Sequence, residues 1–113
     1  MEITEISAQN FDAEVLEEAD RDVLLLAHDK NCPLCQQTVP VFEGTLADRV
    51  DPQKAKLTML ELGQPRPPDL IDVPSVPYLY IYRNGQQIAA MELSTDNRGP
   101  RKAIAEEVRK YSE

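Results

Sequence analysis

The run DVLLLAH, residues 22–28, constrains the fold more than any other stretch, because Val23 through Ala27 are apolar without a break. A strand with one wet face alternates apolar and polar residues, whereas a strand covered on both faces does not. The run therefore predicts an interior strand in a sheet that lies between two layers, and KLTMLEL, residues 56–62, predicts a second one. At 113 residues, 42% of them apolar, the chain holds material for one such core and hardly for two, so a single domain over residues 1–113 is expected.

The flanking patterns order the remaining elements. Ile3 and Ile6 give residues 2–7 a weak alternation that suits a short first strand. Phe11, Val15 and Leu16 recur at helical spacing, which predicts a helix over residues 11–19 with Asn10 as its cap. From Pro33 to about Val50 the apolar positions Leu34, Val39, Phe42, Leu46 and Val50 recur at steps of three to five. That segment reads as a helix kinked by Pro40, since proline removes a backbone donor and crowds the preceding turn. The proline-dense stretch GQPRPPDLIDVPSVP is a connection with at most one short helix. YLYIYR and QQIAAMEL flank Asn84-Gly85, a strong hairpin signal. Ile104, Val108 and Tyr111 then share one face of a closing amphipathic helix. The order β-α-β-α-β, proline loop, hairpin and helix predicts an α/β fold with a central mixed sheet flanked by helices on both faces.

Twelve basic and twenty acidic residues leave a formal charge of −8, which repels phosphate backbones and anionic lipid surfaces, so neither nucleic acid nor a membrane is an expected partner. No apolar run approaches the roughly 20 residues that cross a bilayer. The opening MEITEISAQNF lacks the basic and apolar regions of a secretory signal. A soluble monomer is expected, in the cytoplasm if the chain is full length and in a secretory lumen if it is a mature or excised domain.

The chemistry concentrates in DKNCPLCQQTVP, residues 29–40, which carries both cysteines of the chain. A structural zinc site needs four ligands, and beyond Cys32 and Cys35 only His28 is available among Cys and His, so no metal is expected. Two incidental small apolar residues at a helix start remain an open reading. Placement supports redox work. Cys32 lies where a buried strand hands over to a helix, so free backbone N–H groups and the positive end of the helix dipole favour its ionised sulfur. Cys35 follows one turn later, and Pro33 pre-sets the helical angle without losing a needed donor.

The apolar strand running into Cys32-Pro33-Leu34-Cys35, Pro40 five residues on, the segment VPSVPYLYIYRNGQ and the terminal helix together resemble the thioredoxin superfamily over nearly the whole chain. The resemblance implies the thioredoxin fold, a cis peptide at Val76-Pro77 beside the cysteines, and a Val76 backbone that pairs with an extended substrate strand. Asn31, Pro33, Leu34, Val76 and Pro77 would then form the surface that meets substrate. RGPRKAIAEEV, residues 98–108, is similar to the start of the last helix in protein disulfide isomerase domains, which would make Arg101 a residue that tunes the resolving thiol.

Two departures from that family bear on mechanism. Relatives carry a tryptophan before the pair, whereas this chain has Asn31 there and no tryptophan at all, so the aromatic contact surface is lost. Relatives also place a buried acid six residues before the first cysteine, where this chain has Leu26. Glu61, on the neighbouring strand, is the expected substitute as proton acceptor for Cys35. A lone histidine at a strand end is usually structural or solvated, so His28 is assigned no catalytic role.

The resemblance thus implies a thiol–disulfide oxidoreductase with Cys32 as nucleophile and Cys35 as resolving thiol, without metal or organic cofactor. Its partners would be proteins with disulfides or dithiols and a reductase. Two alternatives stay open: a binding or chaperone-like domain with little turnover, motivated by both losses, and a glutathione-linked enzyme of glutaredoxin type, motivated by the Cys-Pro-x-Cys form.

Overall fold

A computed structural model of the chain describes residues 2–112. Five strands form one sheet in the order β1-β3-β2-β4-β5: β1 (Thr4–Glu5), β2 (Asp22–His28), β3 (Ala55–Glu61), β4 (Tyr78–Arg83) and β5 (Gln86–Glu92). β1 and β2 run parallel to β3, while β4 runs antiparallel to β2 and β5 antiparallel to β4, so the sheet is mixed as the element order predicts. Residues 22–27 of β2 are all buried, which is what an unbroken apolar run in the middle of a covered sheet requires.

Alternation along the strands splits the core in two. Leu24, Leu26, Leu57, Met59, Leu79 and Ile81 face α1 (Pro33–Val41) and α2 (Pro100–Arg109), where Phe42, Ile104 and Val108 complete the packing. Val23, Leu25, Ala27, Leu60, Tyr80 and Tyr82 face the opposite side and meet Phe11, Val15 and Leu70.

That second side differs from expectation. Residues 11–19 do not form a regular helix; Asp12–Leu16 makes one wide turn in which the Glu17 N–H bonds the Asp12 carbonyl at 2.9 Å. Asn10 does not cap it. Its side chain accepts from the Ser7 N–H and donates to the Glu5 carbonyl, tying the turn back to β1. The widened turn buries Phe11 and Val15 together and then releases the chain toward β2.

The long kinked helix is present as a continuous helical run to Arg49, but its hydrogen bonding changes after Pro40. α1 ends at Val41, Phe42–Leu46 follows as a widened turn, and Ala47–Arg49 closes as a tight one. Proline has no N–H for the Gln36 carbonyl, and the Phe42 N–H is shared between the carbonyls of Thr38 and Val39. In the hairpin both Asn84 (φ 53°) and Gly85 (φ 79°) take the left-handed conformation that a two-residue turn of this type demands. Gly85 is also held by contact, since a Cβ there would lie 2.8 Å from the Leu16 carbonyl oxygen.

One polar network closes the end of the sheet remote from the cysteines. Asp22 accepts from Arg83 Nε and Nη2, both at 2.8 Å, and from the Tyr111 hydroxyl at 2.8 Å, joining β2, β4 and the residues that follow α2. The Arg83 bonds foremost, and the Tyr111 bond with them, hold the Asp22 carboxyl below its ordinary value of 3.8 despite its burial. A group lowered on folding contributes stability above its unfolded value and loses it as pH falls through the folded one. Asp22→Asn is therefore expected to lower the Tm by several degrees at pH 7. Scans at descending pH should show the gap to wild type shrinking below about pH 4, and a gap that widened there would contradict the assignment.

Among the described residues no helix is long and apolar enough to cross a membrane.

Candidate active site

The β2 strand delivers the site. After His28 the chain turns through Asp29, Lys30 and Asn31, with the Asn31 N–H bonded to Asp29 Oδ1 at 3.0 Å and the Cys32 N–H to the Asp29 carbonyl at 3.1 Å. That double tie sets Cys32 in an extended conformation (φ −99°, ψ 114°) as the cap of α1, and Pro33 starts the helix. A thiol takes the place that a serine or aspartate oxygen usually fills at a helix start. Its sulfur accepts the Cys35 N–H at 3.1 Å.

Across 44 residues of sequence, the Val76 carbonyl comes to 3.7 Å from Cys32 Sγ and can accept from its thiol. The Val76-Pro77 peptide is cis, Val76 is half-buried and Pro77 is buried. Asn31 and Pro33 flank the cysteine in sequence and are both exposed, and Leu34 is half-buried beside them. Of the residues named from the sequence, Asn31, Pro33, Leu34 and Val76 thus border Cys32.

The two sulfurs occupy different surroundings. Cys32 is partly exposed, while Cys35 is only 1% exposed. Burial pushes the Cys35 thiol up to about 12, its hydrogen bond with Cys32 adds to the rise, and the Asp29 backbone counters part of it. One sulfur is presented to solvent and the other holds its proton, which is the division of labour that nucleophile and resolving thiol require.

Neither of the other two residues named as participants hydrogen-bonds this pair. Arg101 is exposed on the first turn of α2 and does not line the cleft of about 310 Å³ beside Cys35, which is formed by His28, Asp29, Lys30, Gln36, Val39 and Pro40 with the cysteine. Glu61 does not line that cleft either. It sits one strand further out, opposite His28 in the β2/β3 register, with its carboxylate folded over Gly63. Conversely, Asp29 went unnamed in the sequence. Its signal was the Asp29-x-Asn31 turn ahead of the pair, which sets the Asp29 backbone against Cys35. Leu26, where relatives carry an acid, is fully buried between Met59 and Leu79 in the sheet register.

A family model described as Thioredoxin matches residues 2–110. The chain belongs to the thioredoxin family. The thioredoxin fold is equally plain from solved structures. Thioredoxin f from spinach chloroplast superposes with a TM-score of 0.74 at 16% identity, covering 96% of this chain and 84% of that one. A thioredoxin from Malassezia sympodialis gives 0.70 at 17% identity, over 98% and 91% of the two chains. A mutant thioredoxin from Halobacterium salinarum gives 0.70 at 23% identity, over 99% and 92%. At these identities the likeness is one of fold. No curated protein matches the chain by sequence. Membership of this family is consistent with thiol–disulfide oxidoreductase activity, and Cys32 and Cys35 have its Cys-x-x-Cys spacing.

Proposed function

We propose that this thioredoxin-family chain exchanges disulfides with protein substrates through Cys32 and Cys35. The Cys32 thiolate attacks a substrate disulfide, forming a mixed disulfide and releasing one substrate thiolate. Cys35 then attacks Cys32 Sγ, the bond to substrate breaks, and the second substrate thiolate leaves as the Cys32–Cys35 disulfide closes. A dithiol substrate is oxidised by the same steps in reverse. The electrons reside in the sulfur pair, and a reductase or a second dithiol restores it.

The observation that carries this reading is the contrast at the start of α1: a half-exposed Cys32 sulfur that accepts the Cys35 N–H and faces the Val76 carbonyl, with Cys35 buried beneath it. The helix-start N–H groups stabilise negative charge on the outer sulfur. In this reading Val76 offers its backbone to an extended substrate segment, Pro77 shapes the floor, and Asn31, Pro33 and Leu34 form the rim. Arg101 tunes the resolving thiol only if its side chain swings from solvent toward the pair, the feature that would place the chain nearest the disulfide isomerase branch.

The test is insulin reduction with dithiothreitol as electron source. The protein is expected to accelerate precipitation of the freed insulin B chain well above the dithiothreitol background. A rate equal to background would overturn the proposal. It would favour instead a binding domain that has kept the fold and the cysteines, a second reading supported by the apolar Leu26 at the position of the family's acid.

A further inference from the structure

Among the described residues, two buried side-chain atoms have no hydrogen-bond partner, His28 Nε2 and Glu61 Oε1. They are not independent. The β2/β3 register sets His28 opposite Glu61, one strand spacing of about 4.8 Å apart. Counting along each strand, His28 follows Leu24 and Leu26, and Glu61 follows Leu57 and Met59, so both side chains emerge on the face that α1 covers. Gly63 permits the Glu61 conformation, because a Cβ there would come within 2.7 Å of Glu61 Oε2. An unpaired buried polar atom is costly, and two of them side by side call for a function.

The neighbourhood supplies one. His28 lines the same cleft as Cys35, and at about 310 Å³ that cleft leaves room for the imidazole to turn toward the thiol and for one water, which takes up about 30 Å³. Resolution of a mixed disulfide needs a proton removed from Cys35, and the family's acid is absent at Leu26. Imidazole is the side chain that gains and loses a proton near neutral pH.

We infer that His28, its ring turned into the cleft it shares with Cys35, accepts the Cys35 proton, directly or through one water, and that Glu61 is a positioning residue whose carboxylate offsets the charge the imidazole acquires. This rests on the oxidoreductase reading above. The proton moves from Cys35 Sγ to His28 Nε2, the Cys35 thiolate attacks Cys32 Sγ, and the Cys32–substrate bond breaks as the Cys32–Cys35 bond forms. The substrate disulfide is reduced, the pair is oxidised, and the imidazolium returns its proton to the departing thiolate. The titratable and charged groups around His28 are Glu61 on β3, Asp29 and Lys30 in the connection, and Cys35 with Cys32 at the start of α1; Tyr78 of β4 belongs to the opposite face. Asp29 is the competing acceptor, but its Oδ1 already takes the Asn31 N–H.

The reaction of the reduced protein with 5,5′-dithiobis(2-nitrobenzoate) isolates the step. A first thionitrobenzoate is released when Cys32 forms the mixed disulfide and a second when Cys35 resolves it, and this leaving group needs no proton. In wild type the second-phase rate should rise with pH and level off within about pH 5–8, the histidine range. His28→Gln should slow that phase about 100-fold at about pH 7, remove the plateau and leave the first phase within about twofold. Glu61→Gln, which leaves the histidine in place, should move the inflection to lower pH. The inference is overturned if His28→Gln keeps both rate and plateau, if both phases slow equally, if Glu61→Gln leaves the profile unmoved, or if Asp29→Asn alone removes the plateau. A wild type that never shows the second phase would instead overturn the oxidoreductase reading itself.

Discussion

Cys32→Ser abolishes insulin reduction, an expected loss of at least about 1,000-fold that leaves only the dithiothreitol background, whereas Cys35→Ser halts the cycle one step later. The difference follows from position. Cys32 is the half-exposed sulfur that receives the Cys35 N–H at the start of α1, so no other group can begin the exchange. Cys35 is buried, with its thiol pushed up to about 12, and enters only when the mixed disulfide brings an electrophilic sulfur to it. Cys35→Ser should therefore accumulate a one-to-one covalent complex with substrate, visible as a dithiothreitol-sensitive band on a non-reducing gel. Substrate reduction by the Cys32→Ser variant would show that Cys32 is not the nucleophile. Turnover of a glutathione mixed disulfide by the Cys35→Ser variant would mark the glutaredoxin-like alternative, because that chemistry can run on one thiol.

Leu26→Asp is the substitution expected to cost most stability, at least about 4 kcal/mol at pH 7. It would restore the acid that relatives carry, yet the surroundings here are built for leucine. Leu26 is fully buried, pairs with Met59 and Leu79 across the sheet, and packs in the core that includes Phe42. The substitution removes apolar packing and adds a carboxylate for which those side chains offer no partner. Burial raises such a carboxyl, so the penalty should be smallest in acid and grow as pH rises through the ordinary Asp range near about 3.9. Urea titrations at about pH 4 and pH 7 measure it. A variant as stable as wild type at neutral pH would mean that water or a cation reaches this position, and the case for His28 as the replacement acceptor would lose its motive.

Legibility from the sequence followed the range of the interactions. The interior strands, the kinked helix, the hairpin and the terminal helix rest on local patterns: an unbroken apolar run, a proline at a known step, Asn84-Gly85, and Ile104 with Val108 on one face. Residues 11–19 misled because helical spacing of Phe11, Val15 and Leu16 is equally served by a single widened turn, and packing against β2 and the hairpin selected the turn. Asn10 fits a cap in sequence, but the Ser7 N–H and Glu5 carbonyl competed for its side chain and won.

The amino-acid order alone determined that a buried strand runs into a helix with one cysteine at the handover and a second a turn later, because strand burial and helical pitch are properties of neighbouring residues. Tertiary structure decided which distant groups join that pair. It brought the Val76 carbonyl to Cys32, kept Arg101 in solvent, and set Glu61 opposite His28, outside the lining of the Cys35 cleft. Strand register and the face a side chain takes depend on how whole elements pack, and a shift of one residue would turn each strand side chain to the other side of the sheet.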